Sequence, residues 1–527
     1  MAALLAIIVV GVGLRFAHLS DRGLIYWDEG KFGLEGIRLL TVGRDIAGAH
    51  LPLTLGKAVG TAKPGHALLI ALAYAIFGIH DYAALYLDAA ASVLQIWLTY
   101  LVARRLFNPE IALISALLLS TSEYDAIYAR SILSESDASV LLLLGVLLYL
   151  RGGNEHGAPS WDSRGVVSRM AAGLVLGAAF TVNYRLIVYI AVLLGIDVYL
   201  LARHAMTRPV IEGIALWVAA LAFAPIAWQV VDFAAGAQGV VLFRNEIAHR
   251  PTHYFAQVIY QLHQGKQSVV RFEPLPYLQW YVVRQGWYGL ALLLGSLAYA
   301  GVRRSFPLVV AAAFVLVPYL VYITAPFVVP RNLNAAMPFA AMSMAAFLVK
   351  IARMVRPARA ARAVVIVATL AVASANLLLA WRITAVRSGL ARAAHFVSAN
   401  GSGRAVIANE IMVFYLRGGP GRCLAPRVPY TVTQLGADIQ SGFHYAVLDQ
   451  YSGSPMDHVI KSRVSPIVEF SIEGKVSLGE SLIDSENTLT PNTQRVARVV
   501  RVYDLTRLNL PRQRDPRQPG CDREEPP

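Results

Sequence analysis

The chain has 527 residues, 56% of them hydrophobic and only 15% charged, with a net charge of +14 and a mean hydropathy of +0.51. A soluble chain carries roughly 25% charged residues, so the composition excludes an ordinary soluble enzyme and defines a membrane protein. The positive balance does not point to nucleic acid, because most Arg and Lys stand between apolar runs, where they act as topology signals.

The first apolar run, "LLAIIVVGVGL", lacks a basic start and a small-residue cleavage site, and reads as a retained first helix. It covers about 2–18. Further runs near the ~20 residues that cross a bilayer fall at about 83–103, 109–124, 138–150, 170–183, 186–202, 210–232, 286–302, 305–324, 332–349 and 363–381. The expected fold is therefore a polytopic α-helical membrane protein of about 11 spans plus interfacial helices.

Every second connection is cationic. Arg104 and Arg105 follow one span, and Arg151, Arg164 and Arg169 the next such loop. Then come Arg203 and Arg208, Arg303 and Arg304, and Lys350, Arg353, Arg356, Arg359 and Arg362. The short loops on the opposite side carry Arg130, Arg185 and Arg331, one each. The positive-inside rule makes the richer side cytoplasmic. That places the N-terminus inside a plasma (inner) membrane and the C-terminal part outside. "PGHALLIALAYAIFG", Pro64 to Gly78, is too short to cross, and counting it would reverse every later span. It is expected to lie in the outer interface, which makes 20–82 one external loop. Within that loop Phe32, Leu34, Ile37 and Leu40 share one helical face.

Beyond residue 382 the texture changes. "RAVIANE", "YAVLDQY" and "VVRVYDL" are short strand patterns, and "ARAAHFVSAN" fits a helix before them. The expectation is a membrane domain over 1–382, a small extracytoplasmic α/β domain over 383–510, and a Pro-rich, charged, disordered tail over 511–527. Cys423 and Cys521 form neither CxxC nor His/Cys metal spacing. Both lie on the outer side, where a disulfide is allowed. His249 and His253 have i, i+4 spacing, but Pro251 between them argues against a helical metal pair. "LPYLQWYVVRQGWYG" fits an aromatic interface belt. No internal repeat is evident, which weighs against duplicated transporter folds.

Charges at a membrane boundary are costly unless solvated or in use. Four clusters share the outer face: Asp28 and Glu29 in "YWDEGKFGLEG"; Lys63 in "TAKPG"; Arg130, Glu135 and Asp137 in "YARSILSESDAS"; and Arg331 in "VVPRNLNAAMP". Carboxylates and cations from separate segments suit a phosphorylated ligand, the carboxylates as bases and the cations as phosphate holders. Each residue also has a structural reading. Lys63 fits an interfacial anchor and Arg331 a snorkelling headgroup contact. Arg130 fits a salt bridge to Glu123 or Asp125, and Glu135 and Asp137 fit a solvated loop.

These motifs, in this order, resemble the GT-C superfamily of membrane glycosyltransferases, in the branch of protein O-mannosyltransferases and the lipid A aminoarabinose transferase. "WDE" matches an Asp-Glu pair in the first external loop. "AKPGHALL" matches a Lys-Pro-Pro-like element, with Gly65 replacing the second proline. "ARRLF" closes the next helix as in family members. "YARSILSESDAS" matches an Arg followed five residues later by a carboxylate, which points to Glu135 with Asp137 competing. "VPRNLNAAMPFAAM" resembles a late Pro-Arg-Tyr element, with Asn332 where Tyr is common. The likeness spans roughly residues 1–350.

The resemblance implies an inverting glycosyltransferase that moves a sugar from a polyprenyl-phosphate donor to an acceptor hydroxyl at the outer face. Asp28 would be the base, with Glu29 assisting or orienting the acceptor. Lys63, Arg130 and Arg331 would hold the donor phosphate, and Glu135 or Asp137 would position sugar or acceptor. The implied partners are the lipid-linked donor, a glycan, lipid or protein acceptor, and membrane lipids, without nucleic acid. The resemblance leaves metal need open, since such enzymes differ in it; the first loop has no DxD motif, which favours metal independence, and no cofactor is expected, with a divalent metal not excluded. Two other classes remain open: a carrier or flippase for a lipid-linked saccharide, which needs no base, and a non-catalytic scaffold that presents the outer domain.

Overall fold

The computed structural model describes residues 2–40, 61–151, 163–203, 208–236, 238–243, 246–251, 253–263, 272, 274–324, 329–354, 357–400, 405–407, 410–416, 435–436, 439–440, 443–449, 455–473 and 499–508. Helix α1 (Ala2–Phe16) is followed by α2 (Trp27–Leu40), α3 (Pro64–Phe77), α4 (Asp81–Leu106), α5 (Pro109–Ser120), α6 (Glu123–Ala129) and α7 (Glu135–Arg151). Then come α8 (Ser163–Val182), α9 (Ile187–Arg203) and α10 (Arg208–Ala235). The hairpin β1 (Gln238–Phe243) and β2 (Glu246–Pro251) and helix α11 (Tyr254–His263) precede α12 (Pro274–Arg303), α13 (Phe306–Tyr322), α14 (Met337–Ala352) and α15 (Ala358–Arg382). Each apolar run read from the sequence is helical.

Local chemistry starts and stops these helices. Asn108 caps α5, its Oδ1 accepting from the Ile111 amide at 3.0 Å, with Pro109 at the first helical position where a missing N–H costs nothing. Ser122 caps α6 in the same way. In α12 the helical path breaks at Gly286 (φ 71, ψ 166), a conformation open to glycine alone at low cost. The apolar run expected from 286 thus begins where the helix restarts.

Among the described residues, Asp81–Leu106, Arg164–Val182, Val210–Ala235, Pro330–Ala352 and Ala358–Ala385 are long and apolar enough to cross a membrane. Ala2–Phe16, Pro64–Phe77, Pro109–Ser120 and Phe306–Tyr322 are shorter apolar helices. The 14 residues of α3 reach about 21 Å, against the ~30 Å of a bilayer core. Ile366, Val367, Leu370 and Leu378 on α15 are each more than half exposed. Such an outward apolar stripe suits hydrocarbon rather than water.

Several charges inside the bundle are paired. Arg15 meets Asp125 at 2.5 Å, Arg284 meets Glu123 at 2.8 Å, and Arg169 meets Asp197 at 2.9 Å. Arg169, counted above as a loop cation, is instead fully buried in α8. An isolated charge there would be costly, and Asp197 on α9 supplies its counter-charge.

The C-terminal part contains α16 (Gly389–Asn400), β3 (Ala405–Ile407), α17 (Glu410–Leu416), β4 (Phe443–Asp449), α18 (Pro455–Arg463), β5 (Val468–Ser471) and β6 (Val499–Asp504). The sheet runs β3-β4-β6-β5, with β3 parallel to β4 and the other pairs antiparallel. Val500 and Val502 of β6 are fully buried, as alternation along a half-buried strand requires. The three strand patterns and the helix expected here are present, and β5 is an addition. His249 lies on a strand rather than a helix. The tail 511–527, Cys423 and Cys521 lie outside the described residues.

This part is fastened to the segment ahead of α2. The Ser388 amide donates to the Arg22 carbonyl at 2.7 Å, and its hydroxyl donates to the Leu24 carbonyl at 2.5 Å. Tyr415 of α17 accepts from the Leu24 amide at 2.8 Å and donates to Asp81 at 2.6 Å. The C-terminal part therefore braces the chain just upstream of Asp28.

Candidate active site

The "WDE" corner is built around Glu29, which is fully buried. Its Oε2 accepts from the amides of Ile25 at 2.5 Å and Tyr26 at 2.8 Å. Its Oε1 accepts from Arg22 at 2.9 Å and from the Ile132 amide at 3.1 Å. A carboxylate has about four acceptor positions, and all are taken. Third in its helix and reaching back to the preceding amides, Glu29 acts as the return half of a capping box. The role in handling acceptor expected for it does not fit this geometry, because no lone pair is left. Glu29 instead sets the start of α2, where Asp28 projects.

Asp28 meets Arg331, with Nη2 2.7 Å from Oδ2. The guanidinium Nε also lies 3.6 Å from Glu135. Arg331 stands in a 3-10 helix, Pro330–Ala336, held by tyrosines from three helices. The Tyr124 hydroxyl donates to the Pro330 carbonyl, Tyr189 donates to the Asn332 carbonyl at 2.7 Å, and Tyr277 accepts from the Val329 amide at 3.1 Å.

Lys63 caps the start of α3 and is buried. Its Nζ donates to Ser134 Oγ at 2.8 Å and lies 4.7 Å from the Phe32 ring centre. Ser134 also accepts from Asn183 at 3.3 Å, and holds a left-handed backbone (φ 63). Such strain is uncommon outside glycine and collects at functional sites. The Gly65 substitution in the Lys-Pro-Pro-like element has a steric cause. A Cβ there would stand 2.6 Å from Thr181 Oγ1 and 2.9 Å from the Val182 backbone nitrogen, so α3 approaches α8 too closely for proline.

A pocket opens beside these groups, lined by Glu135, Asn183, Arg185, Tyr189, Tyr322, Arg331 and Asn332. Arg185 entered the sequence reading only as a loop charge. Here it donates to Asn332 Oδ1 at 2.9 Å and faces the same pocket as Arg331. Arg185 and Arg331 line the pocket on its cationic side and Glu135 on its acidic side; Asp28 joins it through Arg331, and Lys63 adds its charge from nearby.

Two expected residues stand apart from this group. Arg130 is almost fully buried, its Nη1 donating to the carbonyls of Leu14, Arg15 and Ala17 at 3.2, 3.1 and 2.9 Å. It satisfies the open end of α1, and its expected phosphate role does not fit that position. Neither structural partner considered for it applies, since Glu123 holds Arg284 and Asp125 holds Arg15. Asp137 turns to His66, at 3.0 Å, one layer behind the pocket. The i, i+3 spacing that sets His66 one turn along from Lys63 was open to view in "KPGH"; the long-range partners of Arg130 were not.

Electrostatics follow from burial. Burial pushes the Asp28 carboxyl up, but Arg331, Lys31 and Lys63 outweigh it and hold the carboxyl below its usual range. Burial brings the Lys63 ammonium down to about 7, against the upward pull of Glu135 and Asp28, with Arg331 and Arg185 adding to the fall.

A polytopic helical bundle with a mixed-charge pocket beside a carboxylate corner defines the class. Comparison then narrows it. Residues 61–230 match the family of Dolichyl-phosphate-mannose-protein mannosyltransferase. The structure is similar to ArnT from Cupriavidus metallidurans in the apo state, at TM-score 0.62 and 14% identity over 96% of this chain and 99% of that one. It is similar to the same protein bound to undecaprenyl phosphate at TM-score 0.55 and 14% identity, over 95% and 97%. The Archaeoglobus fulgidus oligosaccharyltransferase shares the fold at TM-score 0.55 and 13% identity, over 85% of this chain and 68% of that one. No curated protein matches the sequence. The family match thus covers the first part of the membrane region, and the whole chain shares its fold with these membrane glycosyltransferases.

Proposed function

We propose that the protein transfers a sugar from a polyprenyl-phosphate donor to an acceptor hydroxyl, with inversion, at the extracytoplasmic face of the membrane. The observation that carries this reading is the contact of Asp28 with Arg331 beside a pocket that also receives Arg185 and Glu135. The similar ArnT structure with undecaprenyl phosphate supports a lipid-linked donor. The cationic loops favour an outer site and a cytoplasmic N-terminus, with 1–382 as the membrane domain and 383–510 outside.

In this mechanism Lys63, Arg185 and Arg331 hold the donor phosphate. A phosphate that engages the Arg331 guanidinium weakens its hold on Asp28, which then becomes a stronger base. Asp28 takes the acceptor hydroxyl proton as that oxygen attacks the anomeric carbon. The bond from that carbon to the phosphate oxygen breaks, and its electron pair leaves with the polyprenyl phosphate. Oriented cations stabilise the charge that develops there. Glu135 positions Arg331 and the sugar; Glu29 and Arg130 hold the corner in shape.

The test uses purified protein in liposomes with polyprenyl-phosphate sugars placed in one leaflet. Transfer or release of the sugar, with free polyprenyl phosphate as co-product, supports the enzyme. Movement of intact donor between leaflets without its consumption would establish the carrier instead.

A further inference from the structure

Behind the pocket, three helices bring His66, Asp88 and Asp137 together, each contributing one ligand atom, with those atoms all within 4.8 Å of one another. His66 lies in the first turns of α3, Asp88 on α4 and Asp137 in the first turn of α7. All three are buried. Both oxygens of Asp88 and the Nε2 of His66 lack a hydrogen-bond partner among the described residues, while His66 Nδ1 stands 3.0 Å from Asp137 Oδ2.

A fully buried carboxylate without a partner is among the most costly groups a fold can hold. It is relieved by taking a proton or by binding a cation. A proton on Asp88 would cancel one charge and leave the His66 lone pair and the Asp137 charge as they are. A divalent ion satisfies all three at once: two carboxylates and a neutral imidazole bring two negative charges, and the ion brings two positive ones. Ligands at ~2.0–2.2 Å from one ion stand ~3–4 Å apart, so the triad closes on an ion with small side-chain rotations. One imidazole with two carboxylates is a donor set for zinc or manganese rather than for magnesium, which favours all-oxygen shells.

We infer that His66, Asp88 and Asp137 form a divalent transition-metal site that ties α3, α4 and α7 together beneath the pocket. The ion would sit three residues along α3 from Lys63 and two along α7 from Glu135. It would fix where these two groups stand without touching the donor. The sequence held no such signal, because the ligands are spread over 72 positions and fall in no recognised spacing. The site stands whether or not the chain is a transferase, since the measurements below use no sugar donor.

The experiment takes strep-tagged full-length protein, stripped with EDTA and reloaded with zinc sulfate or manganese chloride. Metal content is read by mass spectrometry and stability by thermal melting. The expected result is about one equivalent of one of these metals per chain and a melting temperature raised by several degrees. Both should be lost in Asp88→Asn and His66→Gln and kept in Asp28→Asn and His253→Ala. X-ray absorption at the metal edge of wild type should show a single imidazole in an otherwise oxygen shell, and this readout holds even if the variants fold poorly. Wild type that takes up no stoichiometric metal and does not shift overturns the site and leaves Asp88 as a protonated acid. Equal metal in Asp88→Asn, or a shell with two or more imidazoles, places the ion elsewhere and overturns it as well.

Discussion

Asp28→Asn separates catalysis from binding in a way the structure makes quantitative. The amide oxygen of Asn still accepts from Arg331, which now lies 2.7 Å from Asp28, so the corner keeps its shape. What is lost is a base, normally worth ~10²–10⁴ in rate, or about 3–5 kcal/mol of barrier. Donor binding should move in the opposite direction. A carboxylate about 6 Å from a phosphate held by the same guanidinium repels it by roughly 3 kcal/mol at an effective dielectric near 20, before screening by salt. Removing it should tighten donor binding by about three- to tenfold once solvent is allowed for. The assay is rapid-quench consumption of radiolabelled polyprenyl-phosphate sugar in nanodiscs, with equilibrium donor binding measured in parallel. Turnover within tenfold of wild type, at unchanged donor occupancy, would refute Asp28 as the base. Loss of binding together with rate would show that the substitution merely disorders the corner.

Lys63 should make donor affinity pH-dependent. Its pKa is near 7, among Glu135, Asp28, Arg331 and Arg185, so the ammonium is present below that pH and lost above it. A phosphodiester donor does not titrate in this range. Affinity should therefore fall by up to about tenfold between pH 6 and pH 8, and Lys63→Arg, whose guanidinium stays charged, should flatten the titration curve. Arg185→Gln and Arg130→Gln should differ in kind. The first weakens donor binding by roughly 10- to 100-fold through loss of a charge-assisted contact. The second leaves affinity within about twofold but lowers the melting temperature, because three carbonyls of the α1 terminus lose their donor. Gly65→Pro, the family-like residue, should destabilise by about 1–3 kcal/mol through overpacking against Val182, read as a lower melting temperature rather than restored activity.

Much of the candidate site was open to sequence reading because its parts keep local signatures. "WDE" after a first helix, Lys63 before Pro64 and Arg331 after Pro330 each stand at an element boundary, where charges near a membrane have few structural uses. The apolar runs fared similarly: hydropathy over ~20 residues is a property of contiguous chain. Division of labour within a motif was not accessible. Asp28 and Glu29 are adjacent and chemically alike, yet one faces a guanidinium at the pocket and the other is saturated by Arg22 and three amides. Arg130 and Arg185 both read from the sequence as single loop cations, yet one caps α1 and the other lines the pocket. Arg169 looked like a loop charge until the start of α8 buried it against Asp197.

The amino-acid sequence alone determined the membrane class, the helical runs, the strand patterns of the C-terminal part and the neighbourhood of the candidate site. All of these depend on composition and on periodicity within a few turns of chain. Tertiary structure alone decided which charges meet, because pairing energies depend on distance and burial between residues up to hundreds of positions apart. Asp28 and Arg331 are separated by 303 positions, and only the folded bundle, braced by Ser388 and Tyr415 from the C-terminal part, brings them to 2.7 Å.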